Sequence, residues 1–298
     1  MNKGYIAGLL VFAGASSAFA ADMPVKARVA AVPYVQYNDI LAANNQIIVQ
    51  AVGTHLDYAE YDDGRTQPAG TFADSEKGWT PGIGLKVSAM GDWAVSNLYV
   101  AAEASWSKGT TGYFEGPAFG GPLNLSHNAE IVDAAFRLGK GFSVAPNFMI
   151  TPFAEFGVHQ WIRDLSPLNP ETYQHEYAGG GLLIQYAPVQ RLVLSANGMV
   201  GSTIDPTISI AANPGINNAL DLGLGTALTW RVGGSVDYAI TQQFHISGSV
   251  DYTEFEYGAS ARDPLTGIYE PNSTSKVLVA KLGLGYSWGG SGAVVAKY

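Results

Sequence analysis

Hydrophobic and polar positions alternate along most of this chain, and TPFAEFGVHQWIRD, from Thr151 to Asp164, shows the pattern clearly. Its even positions from Pro152 are nearly all apolar, while the odd positions carry Glu155, His159 and Arg163. A period of two predicts a strand with two unlike faces. In a soluble protein the apolar face is the core. In a membrane barrel it meets lipid, and Glu155, His159 and Arg163 point inward.

This stretch is the fifth of about ten such runs. The first sets Val52, Leu56 and Tyr58 against His55 and Asp57. The second sets Ile83, Leu85 and Val87 against Lys86, and the third Leu98, Val100 and Ala102 against Glu103. The fourth sets Val132, Phe136 and Leu138 against Asp133 and Arg137. The sixth and seventh run from about Tyr177 to Tyr186 and from Arg191 to Val200. The eighth places Leu222, Leu224, Leu228, Val232 and Val236 opposite Arg231 and Asp237, and the ninth Ile246 and Val250 opposite His245 and Asp251. The tenth places Leu278, Leu282 and Leu284 opposite Lys281. Each run is near the ~9–11 residues that span a membrane in a barrel. The expected fold is all-β, a transmembrane antiparallel up-and-down barrel of about ten strands.

The connections alternate in length. GDWAVS, GKGFSVAPN, APVQ and ITQQ are short, whereas the segments around 59–78, 107–127, 163–175, 201–221 and 257–275 are long and rich in Gly, Pro, Asn, Asp and Ser. Short turns on one side and long loops on the other are the pattern of outer-membrane barrels. On this reading the loop from Gly64 to Ser75 lies outside the cell. Aromatics cluster at the strand ends: Trp79, Trp106 and Tyr252 near the long loops, and Tyr186, Tyr238, Phe244, Tyr286 and Trp288 near the short turns. They predict two interfacial girdles.

Composition agrees. Charged residues are 14% of 298, against roughly 25% in soluble domains, yet the mean hydropathy is only +0.08. That suits a barrel apolar outside and polar inside. The net charge of −9 argues against a nucleic-acid partner. The first 20 residues read as a cleaved signal peptide: Lys3, an apolar run from Tyr5 to about Ala13, and Ala18-Phe19-Ala20, which makes Ala21 the mature N-terminus. Residues 21–45 read as an irregular periplasmic or lumenal segment, in which 29–37 could add a strand. Residues 46–288 read as the barrel and 289–298 as a tail, with AVVAKY a second candidate for the last strand.

AADMPVKA after the signal, the alternating loop lengths and TPFAEFGVHQWIRD together resemble the outer-membrane barrel proteins of alphaproteobacteria, a small porin-like superfamily. The resemblance implies the cell outer membrane, with lipid, lipopolysaccharide and the barrel-assembly machinery as partners. Such families end on an aromatic that follows alternating apolar positions, and KLGLGYSW fits at Trp288, although ten residues follow it.

The residues expected to face the lumen are nearly balanced in sign. Asp57, Glu103, Asp133, Glu155, Asp237 and Asp251 stand against Lys86, Arg137, Arg163, Arg191, Arg231 and Lys281, with His159 and His245 beside them. Paired charges can fill a small barrel as a polar core, and around eight strands side chains just fill the interior. This predicts a closed lumen and a structural or surface-interaction role, with room for an extracellular ligand the sequence does not name. The alternatives are a narrow channel and a rim hydrolase like the ten-stranded omptin proteases. For the last, His55 with Asp57 and His175 with Glu176 are candidates, but no facing Asp-Asp pair accompanies them, so no catalytic residue is expected. No metal-ligand pattern or phosphate loop is present, so no cofactor is expected. Glu60, Asp62, Asp63, Asp74 and Glu76 read as a solvated acidic loop rather than a divalent-cation site. On the eighth and ninth strands, one hairpin register pairs both Arg231 with Asp251 and Asp237 with His245.

Overall fold

The computed structural model describes residues 38–165, 170–212 and 219–288. The expected signal peptide, the 29–37 strand and the 289–298 tail lie outside these.

Ten long strands make one closed antiparallel barrel: β1 (Gln46–Tyr61), β2 (Phe72–Gly91), β3 (Leu98–Glu115), β4 (Leu123–Lys140), β6 (Phe148–Asp164), β7 (Glu171–Val189), β8 (Leu192–Ile210), β10 (Leu228–Ala239), β11 (Phe244–Tyr257) and β12 (Asn272–Ser287). Neighbours in sequence pair throughout, β12 pairs with β1, and β8 pairs with β10, which closes the ring. Two four-residue strands are accessory: β5 (Phe142–Ala145) on β6 and β9 (Leu220–Gly223) on β8. Closure pairs each of the ten long strands on both sides around the wall, so their backbone polar groups are satisfied within the sheet.

Outward faces carry an apolar belt that includes Val49, Leu85, Phe136, Phe156, Val250, Leu282 and Leu284, all exposed. All eight girdle aromatics point out. Tyr186, Tyr238, Phe244, Tyr286 and Trp288 line the short-turn edge and Trp79, Trp106 and Tyr252 the long-loop edge. Most strands are longer than the belt requires, and their long-loop ends form a collar above it. Outward residues there are polar: Lys77 pairs with Asp57 at 2.8 Å, Lys108 with Glu130 at 3.0 Å, and Gln160 donates to Gln174 at 3.1 Å.

A short helix, α1 (Asp39–Asn44), precedes the barrel. Asn38 caps it by accepting from the Leu41 N–H at 3.1 Å, and Asp39 sits in its first turn. Above the collar, the 62–71 and 258–271 loops hold each other. Arg65 donates to the Ser260 carbonyl at 2.7 Å and lies over the Tyr269 ring, whose hydroxyl donates to Asp62 at 2.9 Å.

Four expectations need correction. On β1 the parity is reversed: Val52, Leu56 and Tyr58 are buried inside, and His55 and Asp57 point out. The upper lumen is packed with apolar and aromatic side chains, so here the apolar face is the inner one, while Asp57 meets water and Lys77 above the belt. Arg191 does not face the lumen. It is exposed in the Gln190–Arg191 turn with a φ of 69°, the left-handed backbone that a type II turn places at its second central residue. Leu222, on β9, and Leu224, just after it, are not lipid-facing but buried in an apolar cluster with Leu56, Trp161 and Phe255. Finally, the β10–β11 hairpin is shifted by two residues from the expected register. Arg231 faces Thr253, Asp251 faces Gly233 and His245 faces Ala239. A shift of two preserves which face each side chain takes but changes its partners.

Candidate functional site

The lumen is filled in three layers. At the short-turn mouth, α1 lies against β2, β7 and β8. Its Asn44 exchanges hydrogen bonds with Gln185 at 2.7 and 3.0 Å, and Asn45 exchanges two with the Met90 backbone, both at 2.9 Å. Ser287 donates to the Ala42 carbonyl at 3.0 Å. Ile40 joins Met90, Tyr99, Met149, Phe153 and Leu183 in an apolar cluster that backs this plug.

The middle layer holds most of the expected lumen charges, paired. Glu155 is buried and receives Arg137 at 2.5 Å from the adjacent strand and Arg231 from across the barrel. Lys281 sits between Glu103 at 2.6 Å and Asp251 at 3.6 Å, and Asn197 donates to Asp251 at 3.2 Å. His159 contacts Asp133 at 2.7 Å. His245 contacts Asp237 at 2.6 Å, diagonally rather than face to face, and Gln46 donates to Asp237 at 2.9 Å. Arg231 thus takes Glu155 in place of the expected Asp251. Lys86 lines a cavity of about 70 Å³ below this layer, and a cavity of about 90 Å³ lies above it. Glu103, Arg137 and Asp251 line both.

The third layer closes the long-loop mouth. Trp161, Leu56, Ile131, Ile208, Leu222 and Phe255 form its apolar floor. Over it sits Arg163, 1% exposed. Its Nε donates to Glu76 at 3.0 Å, and its Nη atoms reach Glu171 at 3.1 Å, Asp74 at 3.5 Å and Glu60 at 4.0 Å. The Trp161, Tyr58 and Tyr113 rings lie 4.9 to 5.4 Å from its guanidinium carbon, a desolvated cation–π cage. His127 and Thr111 complete the shell of Glu76 at 2.8 and 2.7 Å.

This layer lies above the Trp79–Trp106 girdle, outside the belt. Burial, with repulsion from Glu60, pushes the Asp74 carboxyl up to about 7. Burial likewise lifts Glu171 and Glu270 to about 7 and Glu60 well above the carboxylate range. Glu76 is held below its usual value, because bonds from His127 and the charge of Arg163 outweigh the burial that opposes them.

Only Arg163 of this layer was among the expected lumen residues. Asp74 and Glu76 share their even parity with Lys86, so extending that alternation outward places both inside; Glu60 shares the parity of Tyr58, and the sequence reading of β1 puts that face outside. Their Gly- and Asp-rich setting reads as a solvated acidic loop, an expectation the structure corrects: Glu60, Asp74 and Glu76 lie on β1 and β2 and, with Asp62, are buried. His175 is a lumen residue on β7 packed 4.8 Å from Phe255, and Glu176 beside it points out. Neither these nor His55 and Asp57 assemble a rim dyad.

No family model and no curated relative matches this chain. Solved structures do. The outer membrane protease OmpT from Escherichia coli is similar over 82% of this chain and 95% of its own, with a TM-score of 0.54 at 8% identity. A deletion mutant of the TodX monoaromatic hydrocarbon channel covers 82% of this chain and 91% of its own, with a TM-score of 0.35 at 10% identity. Neisserial surface protein A covers 81% and 97%, with a TM-score of 0.33 at 9% identity. At these identities the OmpT likeness speaks to fold alone: this chain has the architecture of an outer-membrane β-barrel.

Proposed function

We propose that this protein is an integral outer-membrane barrel with a closed, charge-paired lumen and a structural or surface-interaction role, and that it is not an enzyme. The observation that carries the reading is the double plug. α1 fills one mouth and the Arg163 layer the other, and cavities of about 70 and 90 Å³ between them, lined by described residues, are sized for a few buried waters. The apolar belt between two aromatic girdles supports the membrane location. Lipid and lipopolysaccharide are then its surroundings and the barrel-assembly machinery its route there.

Two features weigh against the alternatives. A narrow channel would need a path past Ile40 and Trp161, which are 2% and 1% exposed. A rim hydrolase would need its acid–base pair open to substrate, and the His127–Glu76 pair is walled in, with side chains 3% and 0% exposed. The test is conductance of the purified protein in a planar bilayer at neutral pH. The reading expects no discrete steps; stable single-channel openings would replace it with the channel.

A further inference from the structure

The upper layer contains more carboxyl groups than its cations can balance. Glu60 on β1, Asp74 and Glu76 on β2, Glu171 on β7 and Glu270 on the last long loop face Arg163 on β6 and His127 on β4. Five carboxylates around one arginine, with an imidazole beside them, would leave at least three negative charges unbalanced in a layer where Glu60, Asp74, Glu76 and Glu270 are at most 8% exposed. Isolated charge at such depth is removed by taking up protons. Among the described residues no His, Asp and Glu group is arranged to hold a metal ion instead.

Counting donors leads to the same point independently. Four oxygens crowd together beside Arg163. The Tyr58 hydroxyl bonds Glu60 and lies 3.0 Å from the Tyr173 hydroxyl and 3.4 Å from Glu270. The Tyr173 hydroxyl lies 2.5 Å from Glu270 and 3.1 Å from Glu60. The two carboxyls thus converge on the same pair of hydroxyls. Two hydroxyls bring only two protons to these contacts and carboxylates bring none, so a proton on Glu60 or Glu270 is the missing donor. In addition, one oxygen of the buried Asp74 has no partner in the layer.

We propose that this layer is a proton-binding site that latches the long-loop mouth of the lumen. With its protons bound, Glu60 and Glu270 hold each other, tying the last loop to β1 and keeping the aromatic floor covered. Without them, five carboxylates repel around one arginine and the loop lifts. The other groups facing the site are Tyr113, within reach of Asp74, and Tyr257, stacked 5.9 Å from Tyr173. The proton ligand deepens the closed-lumen reading and rests on it.

The chain has no cysteine, which makes a direct test available. Ser275 faces inward opposite Tyr58 and is 1% exposed, so Ser275→Cys places a near-isosteric thiol under the latch. Leu265→Cys, at a 94% exposed loop tip, serves as a control for the pH dependence of the thiol itself. The measurement is the ratio of their modification rates with a membrane-impermeant thiol reagent from pH 5.5 to 8.5. The expected ratio is low at pH 5.5 and rises about tenfold or more across the range. With Glu60→Gln and Glu270→Gln together it should stay low throughout. If that double variant does not reach the folded band on an unheated gel, Glu270→Gln alone replaces it and must at least halve the rise. A ratio that is flat and low in the parent, or a rise unchanged by the glutamines, overturns the proton site and leaves the closed lumen standing. A ratio that is flat and high overturns both.

Discussion

Arg231 on β10 reaches across the lumen to Glu155 on β6, a carboxylate that Arg137 already holds from the neighbouring strand. The strands of Arg231 and Glu155 are separated by β7 and β8 around the wall, so the contact braces the barrel through its interior. One anion between two guanidinium groups makes the arrangement asymmetric to mutation.

Glu155→Gln leaves two buried cations facing each other, whereas Arg231→Met leaves Glu155 still paired with Arg137. Breaking a buried pair by removing one partner typically costs about 3–5 kcal/mol. The glutamine variant is expected at the upper end of that range and Arg231→Met below it. Urea unfolding of vesicle-inserted protein measures both; no loss in Arg231→Met would mean that the cross-lumen contact carries no stability, and equal losses would remove the asymmetry.

Leu282 and Leu284 are 70% and 67% exposed on the apolar belt, Leu282 midway between the Tyr252 and Tyr286 girdle levels and Leu284 nearer Tyr286. Arg at either is expected to cost about 2–4 kcal/mol if it lies near the bilayer midplane. Arg at Ala59, on the outer face of the collar, should cost far less. Equal folding yields into vesicles for the two sites would place the membrane elsewhere on the wall.

Stability should depend on pH in a direction set by the upper layer. Asp74, Glu171 and Glu270 are raised to about 7 in the fold. A raised carboxyl contributes stability that is fully present below its unfolded value, about 4.3 for glutamate, and is lost as pH rises through 7. Glu76, held low, contributes the opposite way, and its share is lost only in stronger acid. Unfolding midpoints are therefore expected to fall from pH 5 to pH 8, less steeply in Glu270→Gln. A midpoint that rises over this range would contradict the assignment.

Arg65 lies in the 62–71 loop, pinned by Asp63 at 2.6 Å and by Tyr269. Trypsin added to intact cells should cut there slowly, and several-fold faster in Tyr269→Ala. Cutting only after the outer membrane is breached would invert the topology.

Much of this architecture was legible in the alternation. On β6 the polar parity of TPFAEFGVHQWIRD faces the lumen, because lipid outside and paired charge inside make its two faces chemically unlike. The same held for Lys86, Glu103, Asp133, Arg137, Arg231, Asp237, His245, Asp251 and Lys281. β1 misled because both its faces depart from that contrast: Leu56 and Tyr58 turn into an apolar upper lumen, and Asp57 turns out above the belt. Parity says that two faces differ, not which one meets lipid.

The sequence by itself determined the number of long strands, their up-and-down order and the face of most charges, since these follow from a local period of two and from turn composition. Tertiary structure alone decided the partners. Which carboxylate Arg231 takes depends on a two-residue hairpin shift and on a strand across the barrel, and periodicity carries neither. The acids around Arg163 come from β1, β2, β7 and a loop, from Glu60 to Glu270, and only closure of the ring brings them into one layer. Closure also turns Glu60, Asp74, Glu76 and Glu270 from ordinary surface-type carboxyls into buried ones, because burial is a property of the assembled wall and not of the segment that supplies the residue.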